Sequence, residues 1–205
     1  MSTLEVGKIV PATGTAITLG DSGDTFTIPA SATLDVNGII DLTGATKTSF
    51  PSITTASQWR LTTDFTGGVT PIATNLEEVD GPVGFGVLGS SMTQSSGIFT
   101  FPSTGYWMIK FDTVSSAAAR VAYNKSIIMT TTNDSTYVEA AWAMAFNVSS
   151  PATYSSSSVV YIMDVTSTST HKVRFDVAVA SGTTTWMGDT DHNETCMTFI
   201  KLADT

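Results

Sequence analysis

The chain has 205 residues, of which 13% are charged, and 18 acidic against 9 basic side chains give it a formal net charge of −9. A negative field of this size repels phosphate backbones and anionic lipid, which argues against nucleic acid or a membrane surface as partner. The single cysteine, Cys196, rules out an internal disulfide framework, and its place in an apolar-alternating run predicts a buried free thiol.

The first residues, MSTLEVGKIVPATG, show no basic cluster followed by a long apolar run, so no secretory leader is expected. No stretch is long and apolar enough for a membrane span, and membrane insertion is not expected. Four glycosylation triplets, at Asn124, Asn133, Asn147 and Asn193, are read as chance products of a Ser/Thr-rich chain.

From Thr15 to Leu42, apolar residues alternate in short bursts: Ile17/Leu19, Phe26/Ile28, Leu34/Val36 and Ile40/Leu42. Each burst predicts a short strand, and the Gly-Asp, Pro-Ala-Ser-Ala and Asn37-Gly38 segments between them supply turn chemistry. Such a segment has few large side chains to bury, so it is expected to close against copies of itself or a larger assembly. Residues 43–57 are small and hydroxylated and read as a linker or spaced strand.

After Trp59 the character changes, with aromatics, methionines and a periodicity near two through to Leu202. In GIFTFPSTGYWMIKF, residues 97–111, Phe99 and Phe101 share one face, and Trp107, Ile109 and Phe111 oppose Tyr106, Met108 and Lys110. Pro102 and Gly105 mark a sharp corner between two strands, of which the second has large side chains on both faces. The face of Trp107, Ile109 and Phe111 is expected in a sandwich core, the other against a loop or a neighbouring subunit. The run Val138–Phe146 has helical propensity, but strict alternation of Trp142, Met144 and Phe146 predicts a strand.

The residues Gly97, Phe99, Thr100, Pro102, Gly105, Trp107, Ile109 and Phe111 closely resemble the signature of the C1q/TNF-like jelly roll. The likeness extends over residues 56–205: Ser157–Val177 resembles that family's paired strands, and Thr195–Leu202, with Phe199, its closing strand. Cys196 stands where the family usually has Phe, and Thr198 where it usually has Gly. The N-terminal TAITLGDSGDTFTIPASATLDVNG resembles segments at the front of bacteriophage virion structural proteins, marine ones especially.

These likenesses imply an all-β chain: a β-rich stalk or virion-attachment region over residues 1–55 and a jelly-roll knob over 56–205 that assembles as a homotrimer. The function implied is that of a virion structural protein, a short fibre or fibre tip touching a host-surface glycan. A capsid decoration protein is the alternative, and a secreted C1q-like lectin a more distant one. Other virion proteins would be met through the N-terminal region.

The densest polar cluster, Gly188–Glu194, offers Asp189, Asp191, His192 and Glu194 as ligands for Ca²⁺, set against the plainer reading of a solvated acidic loop with no cofactor. The two histidines, His171 and His192, lie in no nucleophile-elbow or metalloprotease motif, and the chain is not expected to be an enzyme. His171 is expected on the surface, in a hairpin. Tyr123, Tyr137, Tyr154 and Trp186 are candidates for glycan stacking or for packing between protomers.

Overall fold

The computed structural model describes residues 25, 27–28, 32–38, 53–148 and 153–205. The chain divides into two compact units, Met1–Thr48 and Ser49–Thr205. In the first unit, residues 32–38 are exposed and belong to no strand, with a bend at Asn37–Gly38. Ile28, Leu34 and Val36, each expected in a strand, are 39%, 62% and 40% exposed, and none is in one. Two alternating apolar residues define a face, but a ladder also needs a partner. The bursts Ile17/Leu19 and Ile40/Leu42 lie outside the described residues.

The second unit is built from β1 (Ala56–Leu61), β2 (Phe65–Thr66), β3 (Leu76–Glu78), β4 (Thr93–Ser95), β5 (Ile98–Thr100), β6 (Gly105–Ala117), β7 (Val121–Thr131), β8 (Val138–Asn147), β9 (Thr153–Val165), β10 (Lys172–Val179), β11 (Thr185–Trp186) and β12 (Cys196–Ala203). Among the described residues there is no helix. One sheet runs β2-β11-β6-β12-β1-β3, with β9 on the other side of β6, and the second runs β4-β5-β10-β7-β8. All pairings are antiparallel, and the two sheets face one another across one core.

The expected face of β6 is the one that is buried. Trp107, Ile109 and Phe111 are wholly inaccessible, whereas Tyr106 is exposed and Met108 and Lys110 are half-buried. Phe99 and Phe101 are both buried and meet this face from β5 and the segment after it. Phe175 of β10 packs at 4.9 Å from Phe111 and 5.5 Å from Phe99, and Phe199 of β12 lies 5.3 Å from Phe99. Aromatic centroids at these separations add to the burial of area itself.

The Pro-Ser-Thr-Gly corner is tied to that core. Trp107 Nε1 donates to the Ser103 carbonyl at 3.1 Å, so the turn satisfies the buried indole it precedes. Gly97 and Gly105 adopt φ of 79° and 135°, and an added Cβ would run into the carbonyl oxygens of Ile72 and Ala203 respectively. Both signature glycines therefore answer a backbone requirement.

Farther along β6 the interior turns polar. Thr113 Oγ1 lies 2.8 Å from Ser126 Oγ and 2.9 Å from Ser157 Oγ, and Ser115 Oγ is 3.0 Å from Ser155 Oγ. Asn124 donates to Asn147 Oδ1 and to Ser115 Oγ, and accepts from Thr184 Oγ1 at 2.9 Å. The abundant hydroxyls thus fill one part of the sandwich by bonding each other, the condition on which buried polar groups are tolerated. Asn124 and Asn147 are each 1% exposed, so neither glycosylation triplet is accessible in the fold.

β9 and β10 do not form the expected hairpin. β9 pairs with β6 along its whole length, and β10 pairs with β5 and β7 in the opposite sheet. β9 makes its ladder in one sheet and β10 in the other, and residues 166–171 cross between the layers. His171 lies in that crossing and is 9% exposed, held between Thr166 Oγ1 at 3.2 Å and Thr170 Oγ1 at 3.1 Å; it is not the surface residue expected.

Candidate functional site

The candidate site is an apolar surface in three parts. The first lies on the outer face of the larger sheet, where the registers align Ile200 of β12, Met108 of β6 and Ile162 of β9 in one row across three strands. Ile162 is 55% exposed, and beside the row Val160 of β9 is 48% exposed and Tyr106 and Leu202 42% each. The flanking Lys110 is bound to Asp112 at 2.8 Å, and this hydrogen bond raises the Lys110 pKa. The row itself carries no charge.

The second part is β8. Ala141 and Ala143 pack against the core, which turns Trp142, Met144 and Phe146 outward at 51%, 49% and 65% exposure. The strand prediction was correct, yet its large residues face away from the interior. Lys125 Nζ caps the Trp142 ring at 4.9 Å and bonds Glu139 Oε2 at 2.7 Å.

The third is the arm Gly81–Gly89, sequence GPVGFGVLG, with Val83 fully solvated and Phe85, Val87 and Leu88 at 54%, 41% and 48%. One base of the arm is held by Arg60, whose side chain is wholly buried and donates to Gly81 O at 2.9 Å, Asp80 Oδ1 at 2.9 Å and Glu77 Oε1 at 2.7 Å. The other base is a reciprocal backbone pair between Ala56 and Leu88, both bonds 2.9 Å. Between the arm and the sheet lies a groove of about 410 Å³, lined by Ala56, Gln58, Val87, Leu88, Thr198 and Ile200 among others.

The aromatic candidates separate. Tyr154 on β9 and Tyr123 on β7 are 70% and 38% exposed. Tyr137 is half-buried beneath the Arg174 guanidinium, 4.6 Å from the ring centroid, and burial raises its pKa. Trp186 is 1% exposed and donates to Gly67 O at 2.9 Å, so it is a core residue and is corrected as a glycan or interface candidate. Its position on the two-residue β11, beside Ser115 of β6, turns the indole inward.

In the acidic loop, Asp189 Oδ1 accepts from the Asp191 N at 2.6 Å and the His192 N at 3.0 Å. These bonds, the Asp191 amide first, hold the Asp189 carboxyl below its ordinary value. The two bonds close a turn, and among the described residues no group of three or more His, Cys, Asp or Glu is placed to hold a metal ion. Cys196 is the expected buried thiol, pushed up to about 11 by burial.

Three features escaped the sequence reading. A buried Arg60 and the carboxyls that hold it are 17 and 20 residues apart in sequence, with no local signal. The hydroxyl network is assembled from four strands and a loop, and nothing was expected of the arm from its sequence. For the arm the clue was present: four of its nine residues are glycine and the other five carry no polar group.

No family model and no curated protein matches the chain. Among solved structures it is similar to murine APRIL at pH 5.0, with a TM-score of 0.53 at 9% identity, covering 72% of this chain and 98% of that one. The structure of murine APRIL at pH 8.5 gives a TM-score of 0.50 at 10% identity over the same shares. At such identity the likeness is one of fold, and the described sandwich is a jelly roll of the TNF/C1q type.

Proposed function

We propose that the chain is a self-assembling structural protein, a homotrimeric jelly-roll knob whose role is mechanical and adhesive. The observation that carries this is the uncharged row Ile200–Met108–Ile162 on the open face of the larger sheet. A monomer rarely leaves a contiguous apolar face in water. With a net charge of −9 per chain, copies repel except where such uncharged surfaces meet. The number three is supported by the resemblance of residues 97–111 to the C1q/TNF-like signature. The His171 ring is held between two threonine hydroxyls, which favours a structural role for it.

The setting proposed is a virion, as a short fibre or fibre tip, supported by the likeness of residues 15–38 to phage structural proteins. Tyr154, 70% exposed, is the aromatic best placed to stack on a host glycan. Sedimentation of the full chain should give a mass near three times 21.5 kDa. A strictly monomeric chain at micromolar concentration would sink the proposal. Deleting residues 1–55 should abolish incorporation into particles, and particles that retain the truncated chain would place attachment in the knob.

A further inference from the structure

We infer that the arm Gly81–Gly89 is a latch that grips the β8 edge of a second copy of this chain; this rests on the self-assembly proposed above. The sheet order puts the two features on opposite flanks. The arm rides beside β1 and β3 at one end of the larger sheet, and β9 forms the other end, with β8 alongside it. Two complementary surfaces at different places on one molecule make a head-to-tail contact, and such contacts close into rings when the rotation allows.

The arm is built to present apolar side chains. Both its bases are pinned, one by the buried Arg60 and the other by the Ala56–Leu88 pair, so Val83 and Phe85 stand in water with no partner among the described residues. Pre-ordering of this kind removes part of the entropy cost of docking. The groove beneath has Ala56, Ser57 and Gly86 in its lining, small residues that leave its 410 Å³ open to a large side chain. Phe146 and Trp142, the two exposed aromatic residues of β8, supply one.

The charge pattern selects the occupant. The arm contains no ionisable group, and the β8 stripe is flanked by a Lys125–Glu139 pair that is already neutralised. The exposed parts of the arm and stripe together amount to roughly 800 Å² per joint, too little for a stable contact alone, so the latch adds to the area that the uncharged row of the larger sheet buries beside it. An anionic lipid surface would have to approach a chain of net charge −9.

The test is a double variant, Val83→Cys with Val148→Cys, treated with a short bismaleimide. Val148, 55% exposed, directly follows β8, and the buried Cys196 does not compete for reagent. Covalent trimers on a denaturing gel are expected from the double variant, with each single variant running as one chain. If the full-length protein sediments as a trimer while the double variant gives no more crosslinking than the singles, the latch is wrong and self-assembly stands. If it sediments as a monomer, the underlying reading fails with it. In parallel, Phe85→Ser should raise the dissociation constant on the order of tenfold, leaving the circular dichroism unchanged. Unaltered assembly, with loss of flotation on phosphatidylcholine vesicles, would overturn the latch in favour of lipid.

Discussion

Trp107→Ala and Trp142→Ala remove the same side chain from the two faces of the sandwich and should differ in kind. Trp107 is wholly inaccessible, packs 5.3 Å from Phe101 and donates to Ser103 O. Removing roughly 200 Å² of buried surface at about 25 cal/mol per Å² costs about 5 kcal/mol, and large-to-small aromatic deletions in cores cost about 3–5 kcal/mol. Trp142 leaves 51% of its surface in water, and its deletion opens no cavity. Its loss within one chain should cost about 1 kcal/mol, chiefly the contact with Lys125. Denaturant titration followed by circular dichroism, at several protein concentrations, separates the two. For Trp107→Ala the midpoint should fall by the same amount at every concentration. For Trp142→Ala the loss should itself vary with concentration, large where the parent is assembled and small where both are dissociated, because the residue lies at the joint proposed above. An unchanged midpoint for Trp107→Ala, or equal intrinsic losses for the two, would refute the assignment of faces.

Cys196, pushed up to about 11 by burial, should resist a thiol reagent at about pH 8 in the native protein and react fully in denaturant, since the thiolate is the nucleophile. Burial raises the Asp176 pKa above 3.8 despite its bond to Arg174, so the folded protein holds that proton more tightly than the unfolded chain does. The cost of the ionised carboxyl is therefore absent in strong acid and grows as pH rises through the folded value. Asp176→Asn should melt above the parent at neutral pH, with the gap closing near about pH 3; a gap independent of pH would count against this account. Asn124→Ala strands Thr184 Oγ1, Ser115 and Asn147 in the polar interior and should cost about 2–4 kcal/mol, measured by thermal melting.

Alternation in the sequence determined the β character of the second unit, the strand nature of Val138–Asn147 and which side of β6 is buried. A period of two needs no knowledge of partners, because successive side chains on a strand necessarily point apart. Gly105 was legible with Pro102 as a corner between strands, whereas Gly97 entered through the family resemblance and only the structure shows that a side chain there has no room. What alternation cannot carry is the identity of the facing layer. It left the crossing of β9 and β10 between sheets, the burial of His171 and the inward turn of Trp186 undetermined, since each depends on which distant strand is the partner. The apolar stripe of β8 was visible as a stripe, but only the alanines packed beneath it decide that it faces water. The burial of Arg60 belongs wholly to tertiary structure: a guanidinium becomes buried only when the carboxylates and carbonyl that replace its water are brought to it by the fold.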